Sequence, residues 1–437
     1  MSNDKAGIYQ RVLFTVFWVI ATFGFVNDEI LPFISSLRSP LFFLLDFTIV
    51  GLGLLTMRES RWAMVSIGIF TLLSLLVTVI LNGYSLLFYI NGYREFVGIA
   101  YFFPIIRYFN NTEERRARFV RAFDKNLYIF LVIQALCITF QFFKYGAGDQ
   151  GGGSFGQNYS GVVSLSIYAV SFYLMQKRVD RNDFFNSLWA NKSLIFLLYP
   201  TFLNETKVSF LLLPLYFFLL MPIDRKMFMR IVISVPIVAV VFLLGDIVYS
   251  SQESGKNDFL SKEYLTEYLI GDIEDPEGDA QYNLEENSAT DLPRYLKFVL
   301  MQQLDAEHPG HVLTGFGVGQ FKGGSHMERS SLADEYDWLF FGTMPYALHV
   351  YIQLGVLGLL WMVFNFWVMF TEHPVGYGRR NKNLQLFFVL VVLIVLVYNE
   401  AFRGPEFSFF FASILATSWL KTEPAAASQS TPVLKPA

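Results

Sequence analysis

Apolar residues along the chain gather into long runs, with charged residues mostly set between them. A bilayer core of about 30 Å takes about 20 helical residues at 1.5 Å each. On that ruler twelve spans are predicted, over 11–26, 41–56, 62–81, 84–108, 126–143, 159–176, 193–203, 207–221, 229–249, 345–370, 384–399 and 405–420. The seventh and eighth are short and meet at Asn204-Glu205-Thr206-Lys207. They are either two thin helices or one broken helix whose interruption is buried in protein. The expected fold class is an all-α polytopic membrane protein of about 12 transmembrane helices, with one long external loop between helices 9 and 10. Residues 1–245 then carry helices 1–9, 246–344 the loop, 345–420 helices 10–12, and 421–437 a disordered, Ala-, Ser- and Pro-rich cytoplasmic tail.

Inside the loop, apolar residues recur at helical spacing over 258–270 and more clearly over 291–304. In the second stretch Asp291 suits an N-cap and Pro293 the first turn, while Leu292, Leu296, Val299, Leu300 and Leu304 share a face. Gly315-Phe316-Gly317-Val318-Gly319 follows. The stretch 272–286 is acidic and reads as mobile.

Composition supports the membrane reading. Of 437 residues 54% are hydrophobic and only 16% charged, and mean hydropathy is +0.41. A soluble globule of this length cannot hide that much apolar side chain. A cytosolic enzyme, a disordered chain and a nucleic-acid binder are excluded. The lone cysteine, Cys137, lies in an apolar run, so neither a disulfide framework nor a Cys-based metal site is expected. The first run reads as a retained signal-anchor. With the N-terminus placed inside, inner segments hold 22 of the 33 Lys and Arg and short outer loops hold four. Both termini are therefore expected in the cytoplasm. The loop from Asp246 to Asp337 carries 19 Asp and Glu against six Lys and Arg and faces outside.

Few residues carry candidate chemistry. Arg94 falls near the middle of a predicted span, where an arginine costs about 2.5–3.5 kcal/mol. It either pairs with neighbouring Glu95 or faces a cavity; adjacent residues point about 100° apart on a helix, so that pairing is poor. His349 lies a turn into the tenth span, as an interfacial imidazole or as a base at a cavity mouth. Lys207 can snorkel from a span end, and Glu400 can pair with Arg403. The Gly315–Gly319 run is either a close backbone turn or a loop whose amides approach a phosphate. A metal pair at His308 and His311 is disfavoured by the intervening Pro309-Gly310, and no metal site is expected. By topology Arg94, Lys207, Arg294 and Arg403 bring cations to the outer face, where an anionic diphosphate headgroup would suit them.

Four local patterns now add to the layout. They are Gly153-Ser154-Phe155-Gly156-Gln157-Asn158, Glu205-Thr206-Lys207-Val208-Ser209, Gly315-Phe316-Gly317-Val318-Gly319-Gln320-Phe321 and Gln353-Leu354-Gly355-Val356-Leu357-Gly358-Leu359. In order and sidedness the chain resembles the O-antigen ligase and O-antigen polymerase family, bacterial membrane glycosyltransferases of the GT-C type. It departs where that family often carries Thr-x-Ser-Arg and a His-Asn pair: Lys207 takes the place of an Arg, and Val350 follows His349.

The resemblance implies inverting glycosyl transfer from an undecaprenyl-diphosphate carrier, with no metal, cofactor or nucleotide sugar. Arg294 and His349 are then the expected catalytic residues. Arg94, Lys207 and Arg294 would hold the diphosphate, and Tyr336, Trp338 and Tyr346 would bind sugar. The expected activity is polymerisation of lipid-linked repeat units into a surface polysaccharide (O-antigen, capsule or exopolysaccharide) on the outer face of the bacterial inner membrane. Alternatives are a ligase transferring polymer to lipid A core and a flippase of the lipid-linked unit. Expected partners are the lipid-linked glycan donor and acceptor, the bilayer, a chain-length regulator and a flippase; nucleic acid is not expected.

Overall fold

A computed structural model describes residues 3–146, 150–180, 183–204, 207–221, 294–321, 330–336, 339, 342–374 and 376–421. These residues are mostly helical. Five stretches are long and apolar enough to cross a membrane: Lys5–Ile30, Pro32–Glu59, Arg61–Leu81, Glu113–Tyr145 and Tyr346–Thr371. The predicted ninth span, 229–249, and the loop helix over 258–270 lie outside the described residues.

The first spans are α1 (Asn3–Phe25), α2 (Ser35–Thr56) and α3 (Arg61–Leu75). The predicted fourth span is not one helix. It is α4 (Leu86–Tyr93), a tight 3₁₀ turn over Arg94–Phe96, and α5 (Val97–Phe109). All thirteen residues of α5 are buried. At about 20 Å it is shorter than a bilayer core. Neighbouring helices sheathe it, so the short length exposes no backbone polar group to lipid.

Contacts between named residues fix the directions of the helices around α5. Arg94 meets Asp46 and Gly53 faces Tyr101, so α2 runs parallel to α5. Thr71 bonds Tyr93 while Ser66 bonds Asn365, whose amide reaches Ile99, so α3 runs against it. Phe119 stacks on Phe109 near the start of α6 (Glu113–Tyr145), which also runs against it. α14 (Tyr346–Thr371) and α16 (Pro405–Thr417) start at the end where α5 starts. α15 (Lys382–Tyr398) returns between those two.

Over the seventh and eighth predicted spans the chain runs in opposite directions before and after Asn204. The short helices α8 (Phe184–Ala190), α9 (Lys192–Phe196) and α10 (Pro200–Leu203) climb along α7 (Ser160–Arg178). They reach Asn204, whose amide donates to the Ser160 carbonyl (3.2 Å) and to the Ser164 hydroxyl (2.8 Å). α11 (Lys207–Leu220) then descends, with Tyr216 on Ser171 and the Leu219 carbonyl on Gln176. In the loop region α12 (Arg294–Glu307) covers the predicted 291–304 helix within a turn at each end, and α13 (Ser331–Glu335) follows.

One departure from an all-α fold is a two-stranded antiparallel ribbon. β1 (Tyr377–Arg380) pairs with β2 (Trp419–Lys421), Arg380 opposite Trp419. The ribbon follows from cations used as helix caps. Arg380 donates to the Met369, Phe370 and Leu415 carbonyls, and Arg116 to the Thr417 and Trp419 carbonyls. Both satisfy C-terminal carbonyls and their negative dipole ends. This end of the bundle, which also holds Arg107, is the basic end.

The flanks expose large apolar side chains, and the interior, though mostly apolar, also holds polar groups. Leu72, Leu87, Leu136 and Phe143 are exposed on the flanks. Gln134, Gln141, Ser164, Asn204, Asn365 and Gln353 are buried. In water that arrangement would leave large exposed apolar patches; against lipid tails it costs nothing.

Candidate functional site

At the end of the bundle opposite the basic end, three irregular backbone segments converge. The first is the turn at Arg94–Phe96. Ser85 caps α4 by accepting from the Phe88 N–H (3.2 Å), and at Arg94 the helix tightens to 3₁₀ before continuing as α5. Successive residues project about 100° apart around a helix, so the two neighbouring charges meet different helices. Arg94 Nε lies 2.6 Å from Asp46 of α2, with its guanidinium 5.0 Å from the Phe43 ring. Glu95 turns inward and is buried.

The second segment is a break in α14 at Gly355, which adopts φ 59° and ψ −156°. That region is open to glycine almost alone. The break unpairs backbone groups on both sides, and the glycine-rich loop takes them up. Phe316 N–H donates to Ile352 O (2.9 Å) and Gly317 N–H to Gln353 O (2.8 Å). Val356 and Leu357 N–H donate to Val312 O and Leu313 O.

The third segment is the loop itself, seated by two further bonds. Val318 N–H donates to Thr78 Oγ1 (2.8 Å) and Gly319 N–H to Gln353 Oε1 (2.7 Å). A Cβ on Gly92 would collide with the backbone of Val318 and Gly319. Of the two readings left open for this loop, the structure favours the close turn. Its amides from Phe316 to Gly319 are all spent on protein acceptors, so they do not form a phosphate cradle.

Beneath the loop lies a buried charged cluster. Glu95 Oε1 is 2.9 Å from Arg403, and Glu95 Oε2 is 3.3 Å from His349 Nε2. Gln353 is oriented by the bond from Gly319, so its amide N–H₂ points at His349 Nε2 (2.8 Å) and Glu95 Oε2 (3.3 Å). His349 Nδ1, on the other side of the ring, is buried and has no hydrogen-bond partner among the described residues. The imidazole is covered by Phe321, Phe96 and Tyr346, with ring centroids 4.8, 5.8 and 6.0 Å away.

Glu95 and His349 side chains are 0% exposed, whereas Arg403 is 28% exposed. Arg403 thus joins the buried pair to the outside. It also bonds Glu400 (3.0 Å) and the Phe321 carbonyl (3.1 Å). Tyr159, which accepts a bond from Arg38 (3.3 Å), stands within electrostatic range of Arg403, Glu400 and Glu406.

The expected site residues fare differently. Arg94 lies beside the cluster in sequence, but it pairs with Asp46 rather than with Glu95. Its neighbour's carboxylate goes instead to Arg403, 308 residues away. His349 is in the cluster. Tyr346 is buried against His349 and Phe402, so its ring offers no free face to a sugar. Tyr336 lies in a separate polar group, with His308 Nε2 at 2.9 Å and a 2.5 Å bond from its hydroxyl to Glu307. Burial, then the Glu307 carboxylate, raises its phenol above the ordinary value, which keeps it a donor. Lys207 and Arg294 open α11 and α12; their side chains, and Trp338 as a whole, lie outside the described residues.

Two members of the cluster were not expected. Glu95 was weighed only as a partner for Arg94, and Gln353 only as part of a pattern. The available signal was a carboxylate inside a predicted span, which is as costly as the arginine beside it. No family model matches the chain, and no similar protein is found among curated proteins.

Proposed function

We propose that the chain is a membrane glycosyltransferase that polymerises repeat units carried on undecaprenyl diphosphate, acting at the bundle end that holds Glu95, His349 and Arg403. The observation that carries this reading is a half-open guanidinium, Arg403, anchored on a fully buried carboxylate beside an imidazole. Such an anchored cation suits an anion that gains charge during reaction. Arg38, on the same end, adds a further cation nearby.

In this reading the acceptor hydroxyl attacks C1 of the donor sugar. The C1–O bond breaks, and its electron pair leaves with the lipid diphosphate. Arg403 faces the oxygen on which charge grows, and the hydroxyl proton passes to the Glu95–His349 pair. The two groups titrate together, so the proton belongs to the pair. Phe321 covers His349 and must move aside to admit the acceptor. Asp305, Glu307 and Tyr336 lie beyond it as hydrogen-bonding groups for sugar hydroxyls. The lysine- and arginine-rich opposite end supports a cytoplasmic placement of that end and an external site.

The test is direct. Purified full-length protein in neutral detergent receives a lipid-diphosphate-linked oligosaccharide without nucleotide sugar. Lengthened product is expected, and Arg403→Gln should lower its rate by at least about 100-fold, as for loss of one donor to a developing anion. Folded wild-type protein that leaves the oligosaccharide unchanged refutes the reading. The surface glycan of a deletion strain separates polymerase from ligase. Single units on the core indicate a polymerase; full-length polymer held on the carrier indicates a ligase.

A further inference from the structure

The basic end contains a cavity of about 530 Å³ that the site above does not use. That volume lies in the range of small-ligand pockets. Five elements meet around it: the first turn of α6, the last turns of α7 and α16, the first turn of α15, and the ribbon. Arg116, Lys177, Tyr173, Tyr377, Asn381 and Trp419 line it.

The cations are unevenly used. Arg116 Nη2 donates to the Thr417 carbonyl (2.9 Å) and to the Trp419 carbonyl, and its guanidinium lies 3.9 Å over the Tyr377 ring. Its Nη1 is buried and has no hydrogen-bond partner among the described residues. The buried indole N–H of Trp419 is likewise without one. Lys177 Nζ lies 2.5 Å from Asp124 and 3.2 Å from the Tyr173 hydroxyl. Among the lining residues Glu113 supplies the negative charge. Two helices, α6 and α15, also direct their N-termini at this space, with spare N–H groups and the positive ends of their dipoles. Arg116 and Lys177, with the N-termini of α6 and α15, put a positive field into one cavity, and that field outweighs the single lining carboxylate of Glu113.

We propose that this cavity seats the phosphate of an anionic ligand on Arg116 and Lys177, with Tyr173, Tyr377 and Trp419 around the group the phosphate carries. The source is the headgroup of an anionic phospholipid in the leaflet at the basic end. The cavity sits where the helices end, at headgroup depth, and aromatic rings of this kind collect there. Basic pockets between helices on this side select anionic headgroups. Leu420 at the rim is exposed and apolar, as a residue beside acyl chains should be.

Thermal unfolding of the full-length protein in neutral detergent tests the site. The added probes are phosphatidylglycerol, phosphatidylcholine and inorganic phosphate. A saturable rise in Tm with phosphatidylglycerol and none with phosphatidylcholine is expected, and Arg116→Gln should lose the rise. Arg116 also caps α16, so a second variant guards against misfolding. Ala117→Glu adds a negative charge to the wall, removes no hydrogen bond, and should abolish the rise as well. An equal rise with inorganic phosphate keeps the anion site and overturns the lipid as its source. No rise with any probe, an equal rise with both lipids, or an undiminished rise in Ala117→Glu overturns the proposal.

Discussion

Glu95 shows how one side chain can hold a site together. Its carboxylate has Arg403 on one oxygen and His349 with Gln353 on the other. Removing a single partner from a buried ion pair leaves the other charge uncompensated, at a cost of about 3 kcal/mol. Glu95→Ala is therefore expected to lower stability by about that amount and to abolish transfer. Glu95→Gln keeps the shape and hydrogen-bonding capacity but loses the charge. It should retain most of the stability while transfer still fails. Chemical unfolding paired with the oligosaccharide assay checks both halves. Full transfer by the Gln variant would remove Glu95 from the chemistry.

At the scale of the element, the glycine loop and the break in α14 are one device. Neither is self-sufficient, because each satisfies the backbone groups that the other leaves unpaired. Gly355 cannot accept a Cβ without strain of about 1–3 kcal/mol from its dihedrals alone, and the Leu313 backbone blocks the space as well. Gly92 is helical and unstrained, but its missing Cβ lets the loop close in. Gly92→Ala is thus expected to leave membrane insertion and helix content intact while displacing residues 318–321. The measurement is limited proteolysis of the loop alongside transfer. Faster cleavage with reduced transfer is the expected pair. The glycine spacing was legible in the sequence, but its function was not. The amides are spent on acceptors that only the fold supplies: Thr78, just past the end of α3, and Ile352 and Gln353 on α14.

At the scale of the whole molecule, parallel α2, α5, α14 and α16 oppose α1, α3, α6 and α15 and set the two ends apart. We expect the end holding His349 and the end holding Arg107, Arg116 and Arg380 to face opposite sides of a bilayer. Cysteine labelling of intact cells checks this placement. Lys144→Cys should react with an impermeant reagent added outside, and Arg118→Cys only after the membrane is opened. Cys137 is buried and should stay unlabelled in both. Reaction of Arg118→Cys from outside would invert the molecule and place the site in the cytoplasm.

The run lengths alone determined that this is a helical chain with an apolar exterior, and the charge between runs determined which end is basic. Those properties are local sums over consecutive residues, which is why a sequence displays them. Other features are decided by contacts between distant residues. The pairing of Glu95 with Arg403, at the 3₁₀ stretch of the fourth span, is one. The reversal at Asn204 follows from its bonds to Ser160 and Ser164. The ribbon follows from arginines that cap helices brought alongside. Arg94 looked like the key charge because it stood alone in an apolar run. Only the packing of α2 supplied Asp46 for it, and only the packing of α16 against α5 delivered Arg403 to its neighbour. Burial and partnership depend on which helices are adjacent, and that information is spread over the whole chain.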